Sequence, residues 1–155
     1  MKTITVGFSH STNLFSKLIM LVTRSQISHA YIRLSEDKVY EASGLSVNEQ
    51  VYEYFLTYET VVKEIQVELT DEQFAKGEAF RLASLGKPYS VGEVFGFAWI
   101  LLMKSLGRKV ANPFKGGTTS YVCSELVMNY IGMDDSAENM TPEDVYKLLM
   151  SNQPA

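Results

Sequence analysis

The sequence predicts an α+β fold, with a small antiparallel sheet and several helices, in a single domain over residues 1–155. Three observations support this prediction. The chain has 155 residues, which is enough for one substantial core. Hydrophobic residues make up 46% and charged residues 21%, as in soluble globular proteins. Segments with the two-residue period of strands and segments with the helical period both occur along the chain.

Four stretches have the character of strands: Thr3–Phe8, Ile27–Leu34, Val39–Ala42 and Val61–Leu69. In the last, apolar side chains alternate with polar ones, which suits a sheet with one face open to water. In the second, Ala30 and Ile32 share one face and His29 points to the other. His29 therefore need not be a core residue.

Helix-start and helix-stop residues divide the rest of the chain. The first predicted helix follows Ser11-Thr12-Asn13, and the second runs from the capping box Thr70–Gln73 to Gly86. A third, apolar helix is predicted after the capping box Ser90–Glu93. The fourth runs from about Ser120 to Gly132, and the fifth begins at Thr141-Pro142. The loop 107–119 separates the third and fourth of these helices.

Charge, cysteine count and hydropathy exclude several classes of protein. The net charge of −4 and pI of about 5.2 predict no general attraction to nucleic acid. No secretory signal is recognised, and the longest apolar run, Val94–Met103, is too short to cross a bilayer, so we expect a cytoplasmic protein. One cysteine and two histidines predict neither a disulfide nor a structural metal site.

Cys123 and His29 are the candidate catalytic pair. Cys123 falls in the first turn of its predicted helix, with a cap among residues 118–120, where unpaired N–H groups and the helix dipole favour a thiolate. A neutral imidazole at His29 could take the thiol proton and later protonate a leaving group. The alternatives are a buried cysteine that fills space and a histidine on an exposed sheet face.

Three segments resemble one known family. They are Ile27-Ser28-His29-Ala30-Tyr31-Ile32, Val39-Tyr40-Glu41-Ala42 and Tyr121-Val122-Cys123-Ser124-Glu125-Leu126-Val127. Together they are similar to the permuted NlpC-type papain-like cysteine hydrolases (YaeF/YiiX-like), in which the histidine precedes the cysteine. Gly86-Lys87-Pro88-Tyr89 and Thr141-Pro142-Glu143-Asp144 also resemble segments of that family. The resemblance implies a circularly permuted papain-like fold.

The resemblance also implies Cys123 as nucleophile, His29 as general base and Glu41 as the group that orients the imidazole. Glu41 can do so only if it shares a sheet face with His29, which requires an odd-length loop or a bulge near residues 36–37. Tyr121 is expected either to line the site or donate to an oxyanion, or to pack as an aromatic side chain.

The expected activity is hydrolysis of an amide bond, in a peptide or an amidated substrate, through a thioester on Cys123 and without a cofactor. A lipid acyl substrate is an alternative, because the apolar run Val94–Met103 precedes the basic pair Arg108-Lys109. A binding or structural module that keeps the fold without activity is the second alternative.

Overall fold

The computed structural model describes residues 1–44, 46–88, 96, 99, 103, 106–110, 122–133 and 140–152. The strands are β1 (Lys2–Ser11), β2 (His29–Arg33), β3 (Lys38–Ser43), β4 (Ser46–Val51) and β5 (Glu59–Leu69). They form one antiparallel sheet in the order β4-β3-β2-β1-β5. The helices with described bounds are α1 (Leu14–Thr23), α2 (Tyr52–Phe55), α3 (Asp71–Ser84), α4 (Cys123–Tyr130) and α5 (Pro142–Ser151). The predicted α+β class is confirmed.

The main core lies between one face of the sheet and the helices α4 and α5. Alternate residues of the inner strand β1, Ile4, Val6 and Phe8, are buried there. Leu126 from α4 and Val145 from α5 join the same cluster. Since α4 packs directly on β2 and β3, its first residue is held close to the sheet.

The opposite face of the sheet is open to water along β5, as the alternation predicts, with Gln66 and Glu68 exposed, but it is covered around β2. Tyr31, Val39 and Phe55 are fully buried in a second small cluster. Phe55 comes from the short helix α2, which follows β4 and closes over the sheet. His29 belongs to this same face and is only 8% exposed.

Several helix boundaries are confirmed. Thr70 and Gln73 form the predicted capping box of α3, Asn13 caps α1, and Pro142 occupies the first turn of α5. The predicted cap of α4 among residues 118–120 is wrong, since the cap residue is Val122, and the helix ends at Tyr130 rather than Gly132. Val122 has no side-chain acceptor, but its N–H donates to the Glu125 carboxylate at 3.4 Å.

The strand β4 and the helix α2 were not predicted. β4 is an edge strand with the sequence SVNEQV, in which only Val47 is buried. Its polar residues conceal the two-residue period on which a strand prediction depends. The four-residue helix α2 is too short to give a helical period.

Some predictions fall largely outside the described residues. They are the capping box Ser90–Glu93, most of the apolar helix over 94–103, most of the loop 107–119, and Tyr121. Of the apolar helix, Gly96, Trp99 and Met103 are described, and all three are helical. Among the described residues no helix has both the length and the apolar character required to cross a membrane.

Candidate active site

The β2–β3 hairpin brings His29 and Glu41 to one face of the sheet. The pairs Ile32↔Tyr40 and Arg33↔Val39 set the register, and the Leu34 N–H donates to the Lys38 carbonyl at 2.9 Å. Three residues therefore form the loop, an odd number. With this register Glu41 falls opposite position 31, on the face that also carries His29.

A short hydrogen bond joins the two side chains. Nε2 of His29 lies 2.6 Å from Oε2 of Glu41. The Glu41 side chain is fully buried, and its other oxygen, Oε1, accepts hydrogen bonds from Gln50 and from the Tyr58 hydroxyl, the latter at 2.9 Å. A buried carboxylate is costly unless it is hydrogen-bonded, and here both of its oxygens have donors.

The surroundings of Glu41 keep it ionised. Burial by itself raises the pKa of a carboxyl, but the hydrogen bond to His29 and its positive charge act in the opposite direction. Hydrogen bonds from Tyr58 and Ser43 add to this effect, so the pKa of Glu41 lies below its ordinary value. The result is a buried negative charge fixed on Nε2 of the imidazole.

Cys123 is the first residue of α4. Helix packing against β2 and β3 buries it to 5% exposure, and its side chain interacts with that of His29. Because Nε2 is bound to Glu41, Nδ1 is the nitrogen left for the sulfur. The first N–H groups of the helix have no partners within it, so they offer donors beside the thiol.

Cys123 and Glu41 together favour the imidazolium form of His29. Burial lowers the pKa of a histidine, but hydrogen bonds and charge from Cys123 and from Glu41 outweigh it. The pKa of His29 is raised well above its ordinary value. The arrangement can therefore hold a positive imidazole between a carboxylate and a sulfur atom, which is the electrostatic condition for a thiolate–imidazolium pair.

A cavity of about 280 Å³ opens beside His29. It lies at the edge of the sheet where β1 and β3 end and β2 and β5 begin. Its lining includes Phe15 and Ile19 of α1, Ser43 and Glu59. The cavity offers both apolar and polar surface next to the imidazole, as substrate sites commonly do.

Other predicted positions have simpler roles. The hydroxyl of Ser124 donates to the Met140 carbonyl at 2.7 Å and so ties α4 to the start of α5. Gln50, Tyr58 and Glu59 were not identified from the sequence, because two of them lie in or beside the unpredicted elements β4 and α2. Tyr121 cannot be placed, since it is outside the described residues.

Comparison with family models found no match, and no curated protein matches the sequence. Among solved structures, the chain is similar to the metalloprotein YiiX from Escherichia coli O157:H7, DUF1105. The TM-score is 0.57 at 26% identity, over 90% of this chain and 68% of the other. The fold is thus a small α+β fold similar to that of YiiX.

The description of YiiX as a metalloprotein has no counterpart in the described part of this chain. No group of three or more His, Cys, Asp or Glu residues there could hold a metal ion. The imidazole of His29 instead bonds to Glu41 and interacts with Cys123.

Proposed function

We propose that the protein is a cysteine hydrolase with Cys123 as nucleophile, His29 as general base and Glu41 as the residue that orients His29. One observation carries the proposal: the imidazole of His29 interacts with Cys123 on one side and is held by a buried carboxylate, 2.6 Å away, on the other. The three-segment resemblance to permuted NlpC-type papain-like enzymes supports the same roles. In this proposal residues 1–155 act as one hydrolase domain.

The reaction begins with transfer of the thiol proton from Cys123 to Nδ1 of His29. The thiolate attacks the carbonyl carbon of an amide, and the negative oxygen of the tetrahedral intermediate accepts hydrogen bonds from N–H groups at the start of α4. When the C–N bond breaks, the imidazolium gives its proton to the departing amine. A thioester remains on Cys123.

The second half of the reaction uses water. His29 takes a proton from the water molecule, whose oxygen attacks the thioester carbonyl carbon. The C–S bond then breaks, and the sulfur regains a proton from the imidazolium. The products are a carboxylic acid and the amine, and the enzyme returns to its starting state. Glu41 keeps the ring in one tautomer and stabilises its charge through both steps.

A lipid acyl substrate is the second candidate, because apolar side chains border the cavity. Phe15 and Ile19 of α1 line it, while Leu14 and Leu21 of the same helix are 85% and 75% exposed. Such a helix could contact an acyl chain as it enters the site. The chemistry at Cys123 would be the same, with an alcohol or a second amine as leaving group or acceptor.

The test is to incubate wild type and Cys123→Ser with N-acyl peptides and with long-chain acyl esters. Product formation is followed together with the mass of the intact protein. We expect turnover of one class, an acyl adduct confined to Cys123, and a loss of at least about 100-fold in Cys123→Ser. Turnover that survives Cys123→Ser would contradict the proposal. Wild type that neither turns over nor forms an adduct with any substrate would favour the binding module.

A further inference from the structure

A row of polar side chains crosses all five strands on the face that carries His29. In strand order it consists of Gln50, Glu41, His29, Ser9 and Glu59. The proposed function uses the middle of this row. Its far end, Glu59 on β5, has no role there, although it lines the cavity beside His29.

A β-bulge turns Glu59 toward the site. The pairing of β1 with β5 runs regularly to Phe8↔Lys63, then shifts to Ser9↔Val61 and Ser11↔Glu59. One residue of β5, Val62, is therefore left unpaired. Without the bulge, Thr60 would be opposite Ser11, and Glu59 would point to the other face. Bulges often re-aim a side chain beside a functional site in this way.

Ser9, on β1, lies between the strands that carry Glu59 and His29. β1 pairs with β2 so that Ser9 is directly opposite His29, and the Ser9 hydroxyl donates to Oε2 of Glu59 at 2.8 Å. No other described residue donates a hydrogen bond to the Glu59 side chain. The pKa of Glu59 is raised above its ordinary value, first by burial and also by the negative charge of Glu41, while the positive charge of His29 and the Ser9 hydrogen bond act in the opposite direction. The Glu59 carboxylate therefore interacts favourably with the imidazolium.

We propose that Glu59 is a positioning residue whose negative charge supports the His29 imidazolium from the side of the cavity, opposite the Glu41 bond. This inference rests on the proposed function, because it concerns the charge state of the same base. Two carboxylates on different strands, β3 and β5, then share one imidazolium.

Within the described part of the chain, few other charges act on His29. Cys123 approaches His29 from α4 and Glu41 approaches it from β3. β1 contributes the neutral Ser9, α2 contributes Phe55, and α1 contributes the uncharged Ser16 to the cavity wall. Glu59 is itself faced by the like charge of Glu41 and by His10, whose Nδ1 is hydrogen-bonded to the Gln26 carbonyl at 3.0 Å. The Tyr58 hydroxyl, which donates to Glu41, also faces Glu59.

The experiment follows alkylation of Cys123 by iodoacetate and by iodoacetamide between pH 5 and 10. Iodoacetate is negatively charged, so its rate falls when the imidazolium loses its proton, whereas iodoacetamide is neutral and serves as reference. In Glu59→Gln we expect the alkaline fall of the iodoacetate rate about half a pH unit lower than in wild type, because a nearby negative charge is lost. Glutamine can still accept the Ser9 hydrogen bond.

Glu68→Gln is the matched control, because Glu68 is an exposed carboxylate on the same strand. We expect its profile to follow that of wild type. Coincident profiles for Glu59→Gln, Glu68→Gln and wild type, with a reactive thiol in all three, would overturn the role of Glu59 and leave the proposed function intact. A wild-type thiol no more reactive than free cysteine would overturn both.

Discussion

At the scale of single residues, the buried Glu41 is the least usual feature of the molecule. Its carboxylate is kept charged in the interior because His29, Gln50 and Tyr58 all donate to it. Only one of these donors carries a charge. The carboxylate and the imidazole therefore depend on each other, and removing either charge leaves the other buried without compensation.

Replacing Glu41 by glutamine tests this dependence. The amide keeps the size of the side chain but removes the charge that stabilises the imidazolium. We expect iodoacetamide to alkylate Cys123 about 10- to 100-fold more slowly at pH 6. Glu53→Gln, an exposed change on the nearby helix α2, provides the comparison and should react as wild type does. Equal rates for Glu41→Gln and wild type would argue against a role for Glu41.

The three motifs that carry the candidate site could be recognised in the sequence because each consists of residues that are neighbours along the chain. The strand containing His29, the strand containing Glu41 and the helix containing Cys123 could all be predicted. The orientation of Glu59 could not, since it depends on one unpaired residue in β5. The residues that donate hydrogen bonds to Glu41 could not be predicted either. Gln50 lies in a polar edge strand and Tyr58 follows the very short helix α2, and neither element has a recognisable sequence period.

At the scale of elements, the close approach of β1 and β2 depends on Gly7. Gly7 is paired with Tyr31, and the Tyr31 ring lies directly over it. A Cβ added at Gly7 would fall 2.1 Å from the Cζ atom of that ring. The ring is fully buried against Phe55, with centroids 4.6 Å apart, so it has little room to move.

We therefore expect Gly7→Ala to lower the free energy of unfolding by about 2–4 kcal/mol, as overpacking in a buried cluster does. Urea denaturation followed by circular dichroism measures this change. Thr5→Ala, two residues earlier on the same face of β1, should cost about 1 kcal/mol or less. Equal effects of the two substitutions would mean that the Tyr31 ring can be accommodated beside a side chain at position 7.

At the scale of the whole molecule, residues 29–59 and the helix after residue 122 meet in one site. The position of β1 inside the sheet makes this possible, since it pairs with β2 on one side and β5 on the other. The site is therefore coupled to the stability of the fold, and its charges give that stability a dependence on pH.

The direction of this pH dependence follows from the shifted pKa values of His29 and Glu41. The pKa of His29 is raised in the folded state, so its stabilising contribution is complete below the unfolded value of about 6.5 and is lost as the pH rises through the folded value. The pKa of Glu41 is lowered, so its contribution is complete above about 4.3 and is lost as the pH falls through the folded value.

We therefore expect the stability difference between wild type and His29→Gln to be largest near pH 6 and to shrink toward pH 10. Urea titrations of both proteins at pH 6, 8 and 10 provide the measurement. A difference that stays constant, or that grows with pH, would mean that His29 is not held as an imidazolium in the folded protein.

The most direct test of the central claim is the reactivity of Cys123 with and without its histidine. Iodoacetamide alkylation is measured at pH 6 for wild type and for His29→Ala, with glutathione as the free thiol. We predict that wild-type Cys123 reacts at least about 10-fold faster than glutathione, and that His29→Ala loses this advantage. A wild-type thiol that reacts no faster than glutathione, at a rate unchanged by His29→Ala, would contradict the claim that Cys123 is an activated nucleophile.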